Sequence, residues 1–188
     1  MNLMHGSDWA GQDVSGWWVS EKLDGWRALW TGKSLKTRQG NTLAAPDWFT
    51  AGMPGIAQTN LTLDGELWAG PGTTHDDVAK AVNSGSWSGL TFRPFDVPEA
   101  GLTIEAAQAA LAALPFPPHV RPVDWFKAGS TEDVICRMAR LVSVGGEGLM
   151  ARKPGSRYGA GRNGRLLKFK PSIVQAAQGG RPCGCDLE

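Results

Sequence analysis

The chain has 188 residues, 41% of them hydrophobic and 20% charged, with a formal net charge of +1. That length and composition fit one globular domain with a real core and exclude a disordered or fibrous chain. No uncharged apolar run approaches the ~20 residues that cross a bilayer, and no basic-then-apolar leader opens the sequence. The expected setting is therefore the cytoplasm, away from membranes. Three cysteines, Cys136 alone and Cys183 and Cys185 in a glycine-rich tail, read as free thiols of a reducing compartment.

In chain order, residues 16–19, 26–30 and 61–67 read as strands, with turn chemistry at Gly32-Lys33, Gln39-Gly40 and Asp64-Gly65. A helix is expected over 75–84, capped by Thr73 or Thr74, and a strand over 90–95. An alanine-rich helix over 103–114 has Thr103 as cap and Glu105 in its first turn. A third helix, 131–142, gathers Val134, Ile135, Met138 and Leu141 on one side behind Ser130 or Thr131. A last strand falls at 166–169. The elements mingle without βαβ alternation, so the expected class is α+β. The nine tryptophans should be mostly core.

Six stations carry chemistry. At Lys22-Leu23-Asp24-Gly25-Trp26-Arg27, a lysine becomes a nucleophile if it is deprotonated, and Arg27 can share its anion. Arg38 precedes a turn at Gln39-Gly40. At Leu63-Asp64-Gly65-Glu66, a carboxylate in an apolar strand needs a ribose hydroxyl, a cation or a metal; an exposed turn with both acids solvated is the alternative. Phe92-Arg93-Pro94-Phe95-Asp96 places aromatics beside an acid, as core or as a face for a stacked base. Glu147 among glycines suits Mg²⁺, which takes a few carboxylate oxygens plus substrate phosphates. Strand alternation puts Lys168 and Lys170 on one face, where an anion or bulk water must separate them. Arg152, Lys153, Arg157, Arg162, Arg165, Lys168 and Lys170 form a basic stretch without an acid, either a phosphate-binding stripe or a solvated face.

In order and spacing these stations, with Ala45-Pro46-Asp47-Trp48-Phe49 and Tyr158…Gly161-Arg162, resemble the successive motifs of covalent nucleotidyltransferases. Among these the chain looks most like the minimal ATP-dependent DNA ligases of bacteria and phages, over about residues 16–171. The resemblance implies a DNA ligase-type adenylation domain over residues 1–171, with ATP-grasp-like antiparallel sheets flanked by helices. It implies sealing of nicked duplex DNA, in repair or replication, by an expected monomer. Lys22 would be adenylylated by ATP, with AMP then passing to a 5′-phosphate at a nick that a 3′-hydroxyl attacks.

Carried over by motif, Glu21, Lys22, Arg27, Glu66, Phe95, Lys168 and Lys170 would bind ATP or AMP. Glu66 and Glu147 would hold Mg²⁺ or Mn²⁺. Arg38, Arg152, Lys153, Arg157, Arg162 and Arg165 would face DNA. Such ligases continue into an OB domain, and the 17 residues after Pro171 are too few for one. Residues 172–188 are accordingly expected as a flexible tail. The alternatives are a degenerate or truncated core that binds without full turnover, and an RNA ligase.

Overall fold

The computed structural model describes residues 3–55, 62–98 and 101–179; the tail cysteines Cys183 and Cys185 lie outside them. Nine strands and five helices follow in order: β1 (Met4–Asp8), β2 (Trp18–Glu21), β3 (Trp26–Trp30), β4 (Leu35–Thr37), α1 (Asp47–Thr50), β5 (Leu63–Trp68), α2 (His75–Ser84), β6 (Thr91–Asp96), α3 (Ile104–Ala112), β7 (Trp125–Lys127), α4 (Thr131–Ser143), β8 (Leu149–Arg152), β9 (Gly161–Phe169) and α5 (Pro171–Ala177), counted among the described residues. They form a four-stranded antiparallel sheet, β4-β3-β5-β6, and a five-stranded sheet, β1-β9-β8-β2-β7. The second sheet is antiparallel except for β1, which runs parallel to β9.

Each sheet buries its own core. Ala28, Leu63, Leu67 and Phe92 of the first pack with Phe49, Val78, Val82, Ala107 and Leu111. Val19, Ala151, Leu167 and Phe169 of the second pack with Val134, Ile135, Met138 and Val174 from α4 and α5. The helices start where side chains satisfy the free N–H groups of a first turn. Thr74 and Asp77 form a reciprocal capping box on α2. Thr103 caps α3 and Ser130 caps α4.

Three expectations are corrected. The segment after Pro171 begins as α5, with proline at its first position, where the missing N–H costs nothing. Asp64-Gly65 is no turn: it lies inside β5, where a Cβ on Gly65 would strike the Phe92 ring and the Arg93 carbonyl. Cys136 is disulfide-bonded, which removes the cysteine argument for a reducing compartment. An odd cysteine count forces only one thiol to stay single. No helix among the described residues is long and apolar enough to cross a membrane.

The two sheets are tied by a buried ion pair. Arg152, 2% exposed, ends β8 and donates from Nη1 to Asp96 Oδ2 at 3.0 Å, at the end of β6. Its Nε donates to Ser156 Oγ at 2.8 Å. Burial raises the Asp96 pKa from its ordinary value against the opposing charge of Arg152. Removing one member of such a pair leaves an uncompensated charge. Arg152→Ala should therefore lower the unfolding free energy by about 3–5 kcal/mol in urea denaturation. Pairing it with Asp96→Asn should recover much of that loss.

Candidate nucleotide site

Lys22 lies on the four residues that carry the chain from β2 in one sheet to β3 in the other. Its backbone N–H donates to Gly148 O at 2.8 Å, continuing the β2–β8 ladder by one step. Gly148 has a φ of +153°, and a Cβ there would collide with Phe169 O, so glycine is required. At the other end of the crossing, a Cβ on Gly25 would collide with Leu67 O. These two contacts place the Lys22 side chain beside Glu147.

The lysine and the carboxylate meet. Lys22 Nζ pairs with Glu147 Oε2, and Lys170 Nζ pairs with Glu147 Oε1. Lys168 instead pairs with Asp8 on β1, Nζ to Oδ1, at 2.7 Å. The anion expected between Lys168 and Lys170 is thus two separate carboxylates. The hydrogen bond and charge of Lys168 hold the Asp8 pKa below its ordinary value.

Around Lys22 opens a cavity of about 280 Å³, lined among others by Glu21, Arg27, Glu66, Phe95, Trp125 and Lys168. Of the expected nucleotide-binding residues, six therefore line one cavity, and Lys170 reaches it through Glu147. Glu66 sits at its wall with a pKa pushed up to about 8, chiefly by burial, with Lys22 and Arg27 opposing. Burial likewise raises Glu21, against the charge of Arg93. Phe95 has the Arg27 guanidinium 5.5 Å from its ring centroid.

Arg27 is less free than its motif suggested. Nε and Nη2 donate to the two oxygens of Asp64 at 2.9 and 2.5 Å, and Nη1 donates to Met4 O at 2.7 Å. Asp64 is fully buried. The Tyr158 hydroxyl donates to Asp64 Oδ2 at 2.7 Å and accepts from Met4 N at 2.9 Å and from Arg27 Nη2 at 3.3 Å. Burial opposes the Arg27 charge, but the bonds and charge of Asp64 outweigh it and hold its pKa above the ordinary value.

The expected DNA face divides. Arg152 is the buried pair described above, with no exposed guanidinium, because it alternates inward at the end of β8; that assignment is corrected. Arg157 is exposed but donates to Gly101 O. Lys153, Arg162, Arg165 and Arg38 are exposed. Arg38, Arg27 and Arg162 all act on His5, whose pKa is lowered first by burial and then by these cations. Arg38 and Arg162 therefore lie near enough to His5, which lines the cavity, to act on it by charge.

Sequence reasoning missed β1 and its Met4, His5 and Asp8, and it did not see Asp64 or Tyr158 as partners of Arg27. The Tyr158…Gly161-Arg162 spacing was the available signal for the last.

For a divalent metal the fit rests on Glu147 and Glu66, the charge of Glu147 being among the influences that raise the Glu66 pKa. A cation between them would relieve that repulsion, and Mg²⁺ commonly uses one or two carboxylates plus substrate phosphates. The donor set fits. Among the described residues, no group of three or more His, Cys, Asp or Glu gathers as a metal cage.

No family model matches the chain. A DNA ligase of Haemophilus influenzae is 31% identical over 164 residues, 85% of this chain. The match spans 59% of that protein's length. A solved structure from a study of DNA binding with a minimal scaffold by Lig E DNA ligases superposes with a TM-score of 0.81 at 32% identity, covering 90% of this chain and 68% of that one. The Chlorella virus DNA ligase–adenylate has a TM-score of 0.67 at 19% identity, over 89% of this chain and 67% of its own, a likeness of fold.

The Glu66 carboxyl makes stability depend on pH with a definite sign. Its folded pKa of about 8 lies above the ordinary 4.5. Stability is therefore fullest below about pH 4.5 and falls as pH rises through about 8, because the unfolded chain releases the proton first. The urea midpoint of the wild type, relative to Glu66→Gln, should decline between about pH 5 and about pH 8.5.

Proposed function

The chain belongs to the DNA ligase family, and we propose that it seals nicks in duplex DNA with ATP through a lysyl-AMP intermediate on Lys22. The observation that carries this reading is the Lys22–Glu147–Lys170 cluster, seated at the crossing between the sheets and opening onto a cavity lined by Glu66, Arg27 and Phe95. In this reading ATP lies with its base against Phe95 and its phosphates toward Lys168 and Lys170.

The chemistry follows from the residues in hand. An ammonium lacks the lone pair that a nucleophile needs. Lys22 becomes reactive once its proton passes to solvent water and Glu147 is drawn to other cations. Its Nζ then bonds to the α-phosphorus, the bond from that phosphorus to the bridging oxygen of pyrophosphate breaks, and Lys22 carries AMP. Lys168 and Lys170, released from Asp8 and Glu147, stabilise charge on the α-phosphate oxygens. Mg²⁺ held by Glu147 and Glu66 would supply a further positive charge at the phosphates.

AMP then passes to the 5′-phosphate at the nick, and attack by the 3′-hydroxyl expels it. The exposed Arg38, Arg162, Lys153 and Arg165 hold the DNA backbone by charge, so binding should weaken steeply with salt.

A singly nicked duplex, incubated with the full chain, ATP and Mg²⁺, tests the reading. The wild type should join the strands and Lys22→Ala should not. Sealing that survives Lys22→Ala, or fails with the wild type, contradicts it.

A further inference from the structure

We propose that Tyr158 is a positioning residue for Arg27, fixing its guanidinium so that a single N–H remains for the nucleotide cavity. The inference rests on the nucleotide reading of that cavity and adds a residue to it.

Donor arithmetic carries the argument. A guanidinium has five N–H groups. Among the described residues, Asp64 takes the Nε hydrogen and one Nη2 hydrogen, the Tyr158 hydroxyl takes the second Nη2 hydrogen, and Met4 O takes one from Nη1. One Nη1 hydrogen is left for the cavity that Arg27 lines. Arg27 therefore offers one directed hydrogen bond and cannot fork a phosphate with two, as a free arginine does.

Tyr158 closes this arrangement. Its one proton goes to Asp64 Oδ2, so its oxygen is available to accept from both Arg27 Nη2 and Met4 N. The four groups come from different places: Arg27 on β3, Asp64 on β5, Met4 on β1 and Tyr158 on the segment before β9. Without the hydroxyl, Asp64 would still grip one edge of the guanidinium. The outward Nη2 hydrogen would then lose its partner, and Arg27 could tilt, carrying its spare Nη1 hydrogen out of line with the cavity. The Tyr158 ring also lines the cavity, so the bond is made at the site itself.

Two measurements on the full chain test the proposal. The first compares the ATP dependence of Lys22 adenylylation in wild type, Tyr158→Phe, Arg27→Ala and the double variant. Tyr158→Phe should raise the ATP KM about tenfold, the equivalent of one lost hydrogen bond, and leave kcat within about twofold. In the Arg27→Ala background the same change should add little, because both act through one group. An unchanged KM, or equal effects in both backgrounds, overturns it.

The second measurement needs neither catalysis nor a Tyr158 substitution. Tyr158 is the one tyrosine of the chain, so fluorotyrosine labelling places a single reporter at its ring. Its fluorine resonance should shift on Arg27→Lys in the nucleotide-free protein; a resonance indifferent to that change overturns the proposal. If the wild type takes up no AMP, the ligase reading fails, while the fluorine signal still decides whether Tyr158 holds Arg27.

Discussion

The site depends on one carboxylate that has no access to water. Asp64 lies at zero exposure inside β5, and an isolated charge there would be prohibitive. The chain meets that cost with a bidentate arginine and a tyrosine hydroxyl. Satisfying Asp64 therefore draws β3, β5, β1 and the approach to β9 to one point. The cavity is the space left beside it. Arg27 is thereby both a structural counterion and a wall of the cavity, and its single spare N–H follows from the same constraint.

A second charge cluster adjoins the cavity through Lys22 and Lys168. Glu147 holds Lys22 and Lys170 together, and Asp8 holds Lys168. Three ammonium groups are thus kept close to one cavity by two carboxylates instead of by an anionic ligand. A polyphosphate entering here meets cations that are already converged, and it must compete with those carboxylates for them. Electrostatics at the site is in this sense a set of exchanges between internal and incoming anions.

Much of this was legible in the sequence, for identifiable reasons. The helices at 75–84, 104–112 and 131–143 announced themselves through Thr74, Thr103 and Ser130, whose side chains cap them locally. The convergence of Lys22, Glu66, Phe95 and Lys168 was legible because motif order encodes it. What stayed hidden is non-local. Met4-His5-Gly6-Ser7-Asp8 has no alternation to mark a strand, and it becomes β1 only by pairing in parallel with β9. Asp64-Gly65 looks like a turn until β3 and β6 are placed on either side of it. Arg152 belongs by letter to a basic stripe, but strand alternation turns it toward Asp96.

The most direct test of the account is the intact mass of the full chain after incubation with ATP and Mg²⁺, followed by peptide mapping of any adduct. The account predicts a gain of one AMP, carried on Lys22 and absent in Lys22→Ala. An unchanged mass, or an adduct on another lysine, would contradict the assignment of Lys22 as the nucleophile.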